Sequence, residues 1–172
     1  MPKRPAAQPE SAESTSPVVG DDVVATTPPT APFASVPAQL RAALERKGFA
    51  SLTAVQRSVL DWLAETDGKG RDLQITSQTG SGKTVAIGFA LTPGLVDETK
   101  DRAGPVALLL APTRELAMQI RDELEWLFAD LRHVVVDCVT GGTSQQLERQ
   151  RLQRRPMVLV GTPGRLLDHA TS

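Results

Sequence analysis

The chain has 172 residues, 40% of them apolar, and a formal net charge of −1 at pH 7. That length supports one domain with a sizeable core, and the near-zero charge supplies no overall field for nucleic acid or anionic lipid, so any polyanion must be held by local groups. No stretch approaches the roughly 18 apolar residues of a membrane span, no apolar segment follows Lys3 and Arg4 as a secretory signal requires, and the lone cysteine, Cys138, excludes an internal disulfide. A cytoplasmic protein with no membrane contact is expected, with Cys138 buried in a strand.

Residues 1–32 hold seven of the thirteen prolines and no aromatic residue. They cannot bury enough apolar area to offset their ordering entropy, so a disordered Pro/Ser/Thr/Ala-rich tail is expected there. From Phe33 onward the pattern changes. Residues 37–47 place Leu40, Ala43 and Leu44 at helical spacing and stop at Gly48; Thr53 is a suitable N-cap for a second helix reaching about Ala64. "DLQIT" (72–76) predicts a short strand, and residues 83–91 a helix. "PVALLLA" (105–111), "HVVVDCVT" (133–140) and "PMVLVG" (156–161) predict three further strands. The helices after them cover 113–128, about 143–154 and the segment opened by "TPGRLLDH". Strands that are apolar throughout and alternate with helices imply an α/β fold, a parallel sheet with helices on both faces. Ligands of such sheets bind beyond the carboxyl ends of the strands.

One of those ends carries "SQTGSGKT" (77–84). The strand–glycine turn–helix context is that of a phosphate loop, although Ser77 stands where the strict pattern has glycine. Gly80 and Gly82 let backbone approach phosphate oxygens, and the helix start offers free N–H groups to an anion. Ser77, Gln78, Thr79, Gly80, Ser81 and Gly82 would form the loop. Lys83 would bridge the outer phosphates of ATP, and the Thr84 hydroxyl would ligate Mg²⁺.

The stretches "GFASLTAVQ" (48–56), "SQTGSGKT", "PTRELA" (112–117), "TGG" (140–142) and "TPGR" (162–165) follow one another in an order that closely resembles the DEAD-box RNA helicases of superfamily 2. The resemblance covers about residues 33–172 and implies a RecA-like P-loop domain. It also implies that Gln56 reads the adenine edge of ATP, with Phe33 packed near the base; Leu52 stands where that family has proline. Further, it implies that three turns hold single-stranded RNA by its backbone, independently of sequence: Pro112, Thr113, Arg114 and Glu115; Gly141 and Gly142; and Thr162, Pro163, Gly164 and Arg165. Arg114 and Arg165 can fork onto phosphate oxygens. Taken one at a time, the same residues are ordinary helix caps and turns.

No D-E-A-D stretch occurs between "TPGR" and Ser172. The expectation is therefore the front portion of a first RecA-like domain, whose parent is an ATP-hydrolysing RNA helicase and which is inactive alone. The alternatives are a non-catalytic nucleotide- or RNA-binding fragment, or an unrelated P-loop ATPase. Uncovered apolar strand surface is expected, and with it poor solubility. The arginines of "RQRLQRR" (149–155), with no aromatic among them, predict a solvated helix face, and His133 and His169 are too isolated for a metal site.

Overall fold

The computed structural model describes residues 32–66, 72–96 and 104–171. Apart from Pro32, the expected tail over residues 1–32 lies outside them. Three helices come first: α1 (Ala38–Arg46), α2 (Ala54–Thr66) and α3 (Lys83–Leu95). Then β1 (Ala107–Leu110), α4 (Arg114–Leu127), β2 (Val136–Val139), α5 (Gln145–Leu152), β3 (Val158–Gly161) and α6 (Pro163–Ala170) alternate.

Local chemistry sets the helix ends. Gly48, at φ +80°, ends α1 with its N–H on Glu45 O and the Phe49 N–H on Leu44 O, the paired bonds of a Schellman turn. At the start of α2 the Thr53 N–H donates to Gln56 Oε1 (3.0 Å) while the Gln56 N–H donates to Thr53 Oγ1 (3.4 Å), a reciprocal capping box. Helix α3 runs four residues past the expected end at 91, through Pro93, because buried Phe89, Thr92 and Leu95 hold its last turns on the core. Tertiary packing there outweighs the hydrogen bond that proline removes.

The sheet is parallel in the order β1-β3-β2, with Leu108 beside Leu159 and Asp137 beside Leu159 across the two pairings. Residues 72–76 do not form the expected fourth strand. They run without ladder bonds, Leu73 and Ile75 half-buried against the core, and none of the three strands pairs with them. Helices α3 and α4 cover one face, where Phe89, Leu124, Leu127, Phe128 and Val158 are at most 1% exposed. Each such side chain contributes about 1.5–3 kcal/mol through burial. Cys138 joins a smaller cluster with Ala111, Ala117 and Val160, and burial pushes its thiol pKa up, so it is structural. Helices α5 and α6 lie on the opposite face, which they cover only in part: Leu108 and Leu110 remain 53% and 62% exposed.

The outer edge of β2 is blocked by side chains. Asp137 Oδ1 accepts from the Cys138 N–H (2.7 Å), and Arg151 Nη2 donates to Cys138 O (3.3 Å). Thus Arg151 of the arginine-rich helix is taken up at the sheet edge, whereas Arg149, Arg154 and Arg155 are exposed as expected of a solvated face.

Candidate nucleotide and nucleic-acid site

Three of the glycine- or proline-bearing turns singled out above emerge at the carboxyl ends of the strands: Pro112–Thr113 after β1, Gly141–Gly142 after β2 and Thr162–Pro163 after β3; the glycine loop follows the unpaired residues 72–76. A groove of about 990 Å³ runs from Thr79, Gly80 and Lys83 along Glu115, Gln119 and Asp122 of α4 to Trp126 and Phe49.

The phosphate loop is folded onto itself. Lys83 Nζ donates to the carbonyls of Ser77 and Gln78, both at 2.7 Å, and the Ser77 and Ser81 hydroxyls are 2.6 Å apart. Gly80 and Gly82 have φ of +78° and +82°, and Gly82 forms the N-cap of α3. The chain can turn this way into a helix start only where no side chain stands in the way. Lys83 thus makes with two loop carbonyls the bonds that an anion's oxygens would otherwise accept. Thr84, half-buried, occupies the second position of α3.

Gln56 is fully buried. Its Oε1 accepts from Thr53 N–H and its Nε2 donates to Gly82 O (3.3 Å), while a Cβ built on Gly82 would sit 2.3 Å from that Nε2. The residue therefore ties the start of α2 to the phosphate loop, and the T-x-x-Q spacing is the signal that marks it. Phe33 likewise lies in the main core, 5% exposed, without an open ring face. In this conformation neither residue implied as an adenine contact is open to a base.

The three remaining turns meet one another. Arg114 lies over Gly142, which has φ +91°: a Cβ there would be 2.4–2.6 Å from the guanidinium. Thr113 caps α4 by accepting from Leu116 N–H (3.2 Å); Pro112 and Glu115 beside it are exposed. Gly141 and Gly164 face open space. Thr162 precedes α6 with no cap bond from its side chain, and Pro163 fills the first helical position. Arg165 is different from Arg114. Only 14% of its side chain is exposed, and Nε donates to Glu148 Oε2 at 2.6 Å.

Glu148 is the residue that sequence reasoning passed over. It is 0% exposed and accepts from Thr140 N–H, Thr143 Oγ1, Arg165 and His169. Burial works against its charge, yet the hydrogen bonds from His169, Thr143, Arg165 and the Thr140 amide outweigh it and hold the carboxyl at about 2, well below the usual carboxylate range. Its only sequence signal was an acid inside an arginine-rich helix. Among the described residues no group of three or more His, Cys, Asp or Glu could hold a metal, and no helix is long and apolar enough to cross a membrane.

A profile of the DEAD/DEAH box helicase domain matches residues 53–172. The chain belongs to the DEAD/DEAH box helicase family. It is 42% identical over 125 residues to the ATP-dependent RNA helicase DBP7 of Scheffersomyces stipitis, a match that covers 70% of this chain and 17% of that protein. It is 39% identical over 138 residues to the chloroplastic DEAD-box ATP-dependent RNA helicase 3B of Zea mays, covering 77% and 18%. The fold is similar to that of the yeast DEAD-box splicing factor Prp28, with a TM-score of 0.70 and 30% identity over 80% of this chain and 33% of that one. The chain thus spans about a fifth of the length of these curated relatives. The family membership sets aside the unrelated P-loop ATPase, and the parallel sheet is that of a partial RecA-like domain.

Proposed function

We propose that this chain is the ATP-binding and RNA-backbone-binding part of an ATP-dependent RNA helicase that opens short duplexes, at work in the cytoplasm. The observation that carries the reading is Arg114 seated over Gly142 where two turns meet beyond the strand ends, with the glycine loop and the first turns of α4 lining one groove.

Binding of a nucleoside triphosphate exchanges the Ser77 and Gln78 carbonyls for phosphate oxygens as partners of Lys83. The loop amides and the amino end of α3 then face the phosphates. The left-handed glycines suit the group, since the backbone there presents no side chain to an approaching oxygen. Thr84 would supply a hydroxyl ligand for Mg²⁺, which when bound would neutralise phosphate charge. Hydrolysis by the parent protein needs an acid and a water-positioning group in addition.

On the RNA side, Arg114 offers its fork to a phosphate, with Thr113 and Thr162 hydroxyls and the backbone N–H groups around Gly141, Gly142 and Gly164 beside it. Such contacts position a strand without reading its bases. The glycine-rich turns let the sugar–phosphate chain lie close.

Calorimetric titration of MgATP into the chain and into Lys83→Ala tests the nucleotide half. Binding that falls at least tenfold in Lys83→Ala is expected. Equal binding by both would contradict the assignment of the loop.

A further inference from the structure

Helix α6 buries no residue completely, so apolar packing alone does little to fix how its first turn sits on the sheet. A polar cluster does this instead. Glu148 Oε1 accepts from the Thr140 N–H (3.2 Å) and the Thr143 hydroxyl (2.5 Å), which flank Gly141 and Gly142. Its Oε2 accepts from Arg165 Nε (2.6 Å) and lies 2.8 Å from His169 Nε2, one helical turn further along α6. Arg165 Nη2 donates to Thr143 O as well (2.9 Å), and Asp168 lies 3.8 Å from its Nη1.

We propose that Glu148 is a positioning residue for the RNA strand, locking the Gly141–Gly142 turn to the first turn of α6, and that Arg165 is an internal strut and not a phosphate contact. The proposal rests on the RNA reading above and deepens it.

The energetics favour this division of labour. A carboxylate with no exposure is tolerated only while its oxygens are hydrogen-bonded and its charge is paired. Turning Arg165 outward to a phosphate would strip Glu148 of its guanidinium and uncouple Thr143 from α6. Arg114, exposed and without a carboxylate partner among the described residues, has no comparable tie there to break. The two arginines, equivalent by motif, therefore serve the strand differently: Arg114 by its charge, Arg165 by holding two turns in register.

The test uses the whole chain, a fluorescein-labelled ten-nucleotide oligouridylate, and the variants Glu148→Gln, Arg165→Gln and Arg114→Gln, with anisotropy read from 50 to 200 mM salt. Glu148→Gln is expected to weaken binding about tenfold, because an amide has one acceptor oxygen and turns its NH2 toward two of the four donors. Arg165→Gln is expected to weaken binding with the salt slope unchanged, whereas Arg114→Gln lowers the slope by about 0.7, one phosphate contact on a single strand. A slope that drops equally in both arginine variants would overturn the proposal. In parallel, amide NMR shifts of Gly141, Gly142 and Gly164 are expected to move in Glu148→Gln without RNA present; unmoved shifts would also overturn it. His169→Ala, which removes only one of the four bonds, is the milder variant should Glu148→Gln fail to fold, and it is expected to shift the Gly164 amide most. If the unaltered chain does not bind the oligonucleotide, the RNA reading fails, and the glycine shifts still decide whether Glu148 sets the turns.

Discussion

The guanidinium of Arg114 occupies the space that a side chain at position 142 would need. A Cβ on Gly142 would stand 2.4 Å from Nη1, at a backbone φ of +91° that residues with side chains rarely adopt. Two turns separated by a strand and a helix are thereby joined by one glycine and one arginine.

This pairing predicts that Gly142→Ala displaces Arg114 and reduces RNA affinity about tenfold, backbone strain of about 1–2 kcal/mol adding to the loss of a charged contact. Gly104→Ala is the control, since nothing lies within 4 Å of its added carbon and it belongs to none of the turns. Anisotropy titrations should leave that variant within about twofold of the unaltered chain; equal losses in the two would refute the geometric argument.

Ser77 leads to a different expectation. Its hydroxyl meets that of Ser81 across the closed phosphate loop. Ser77→Ala removes one bond worth about 0.5–1 kcal/mol from the closed form only. Population shift then tightens binding of inorganic triphosphate by about two- to fivefold. Calorimetry showing weaker binding in Ser77→Ala would mean that the hydroxyl helps the bound state.

The Glu148 carboxyl gives stability a defined pH dependence. Its folded pKa of about 2 lies below the ordinary 4.5, so ionisation favours the folded state. That contribution, at most about 3 kcal/mol, is complete above pH 4.5 and is lost as pH falls from there toward 2. Thermal midpoints between pH 7 and pH 3 should therefore fall more steeply for the unaltered chain than for Glu148→Gln. Parallel curves would show that the carboxyl is not held low.

Leu108 and Leu110, more than half exposed on the same face of β1, form part of an uncovered apolar surface beside a groove of about 360 Å³ lined by Leu152, Leu159 and Leu166. Replacing both with threonine keeps strand preference and removes apolar area. Light scattering should then show less self-association at equal concentration. Unchanged association would place the sticky surface elsewhere.

Much of the fold was legible because its signals are local. The runs at 105–111, 133–140 and 156–161 could be little else than strands, and Gly48 marks the end of α1 by its own conformation. What could not be read depends on groups distant in the chain. Residues 72–76 have a strand's alternation, but a strand also needs a neighbour, and the sequence does not say which. Pro93 suggests a helix end, yet burial of Thr92 and Leu95 carries α3 past it. Within the site, Arg114 is exposed, while the glycine loop is closed on Lys83. Gln56 and Arg165 are turned inward, onto partners, Gly82 and Glu148, that are 26 and 17 residues away. A motif gives a residue type and a spacing; whether its charge faces solvent or a buried carboxylate is settled by packing.

The most direct test of a backbone-holding surface is the affinity of the chain for ten-nucleotide oligouridylate, oligoadenylate and oligocytidylate across 50 to 200 mM salt. Affinities agreeing within about threefold and falling linearly on logarithmic axes are predicted, since phosphate contacts carry no base information. Absence of binding, or a preference for one base exceeding about thirtyfold, would contradict the account.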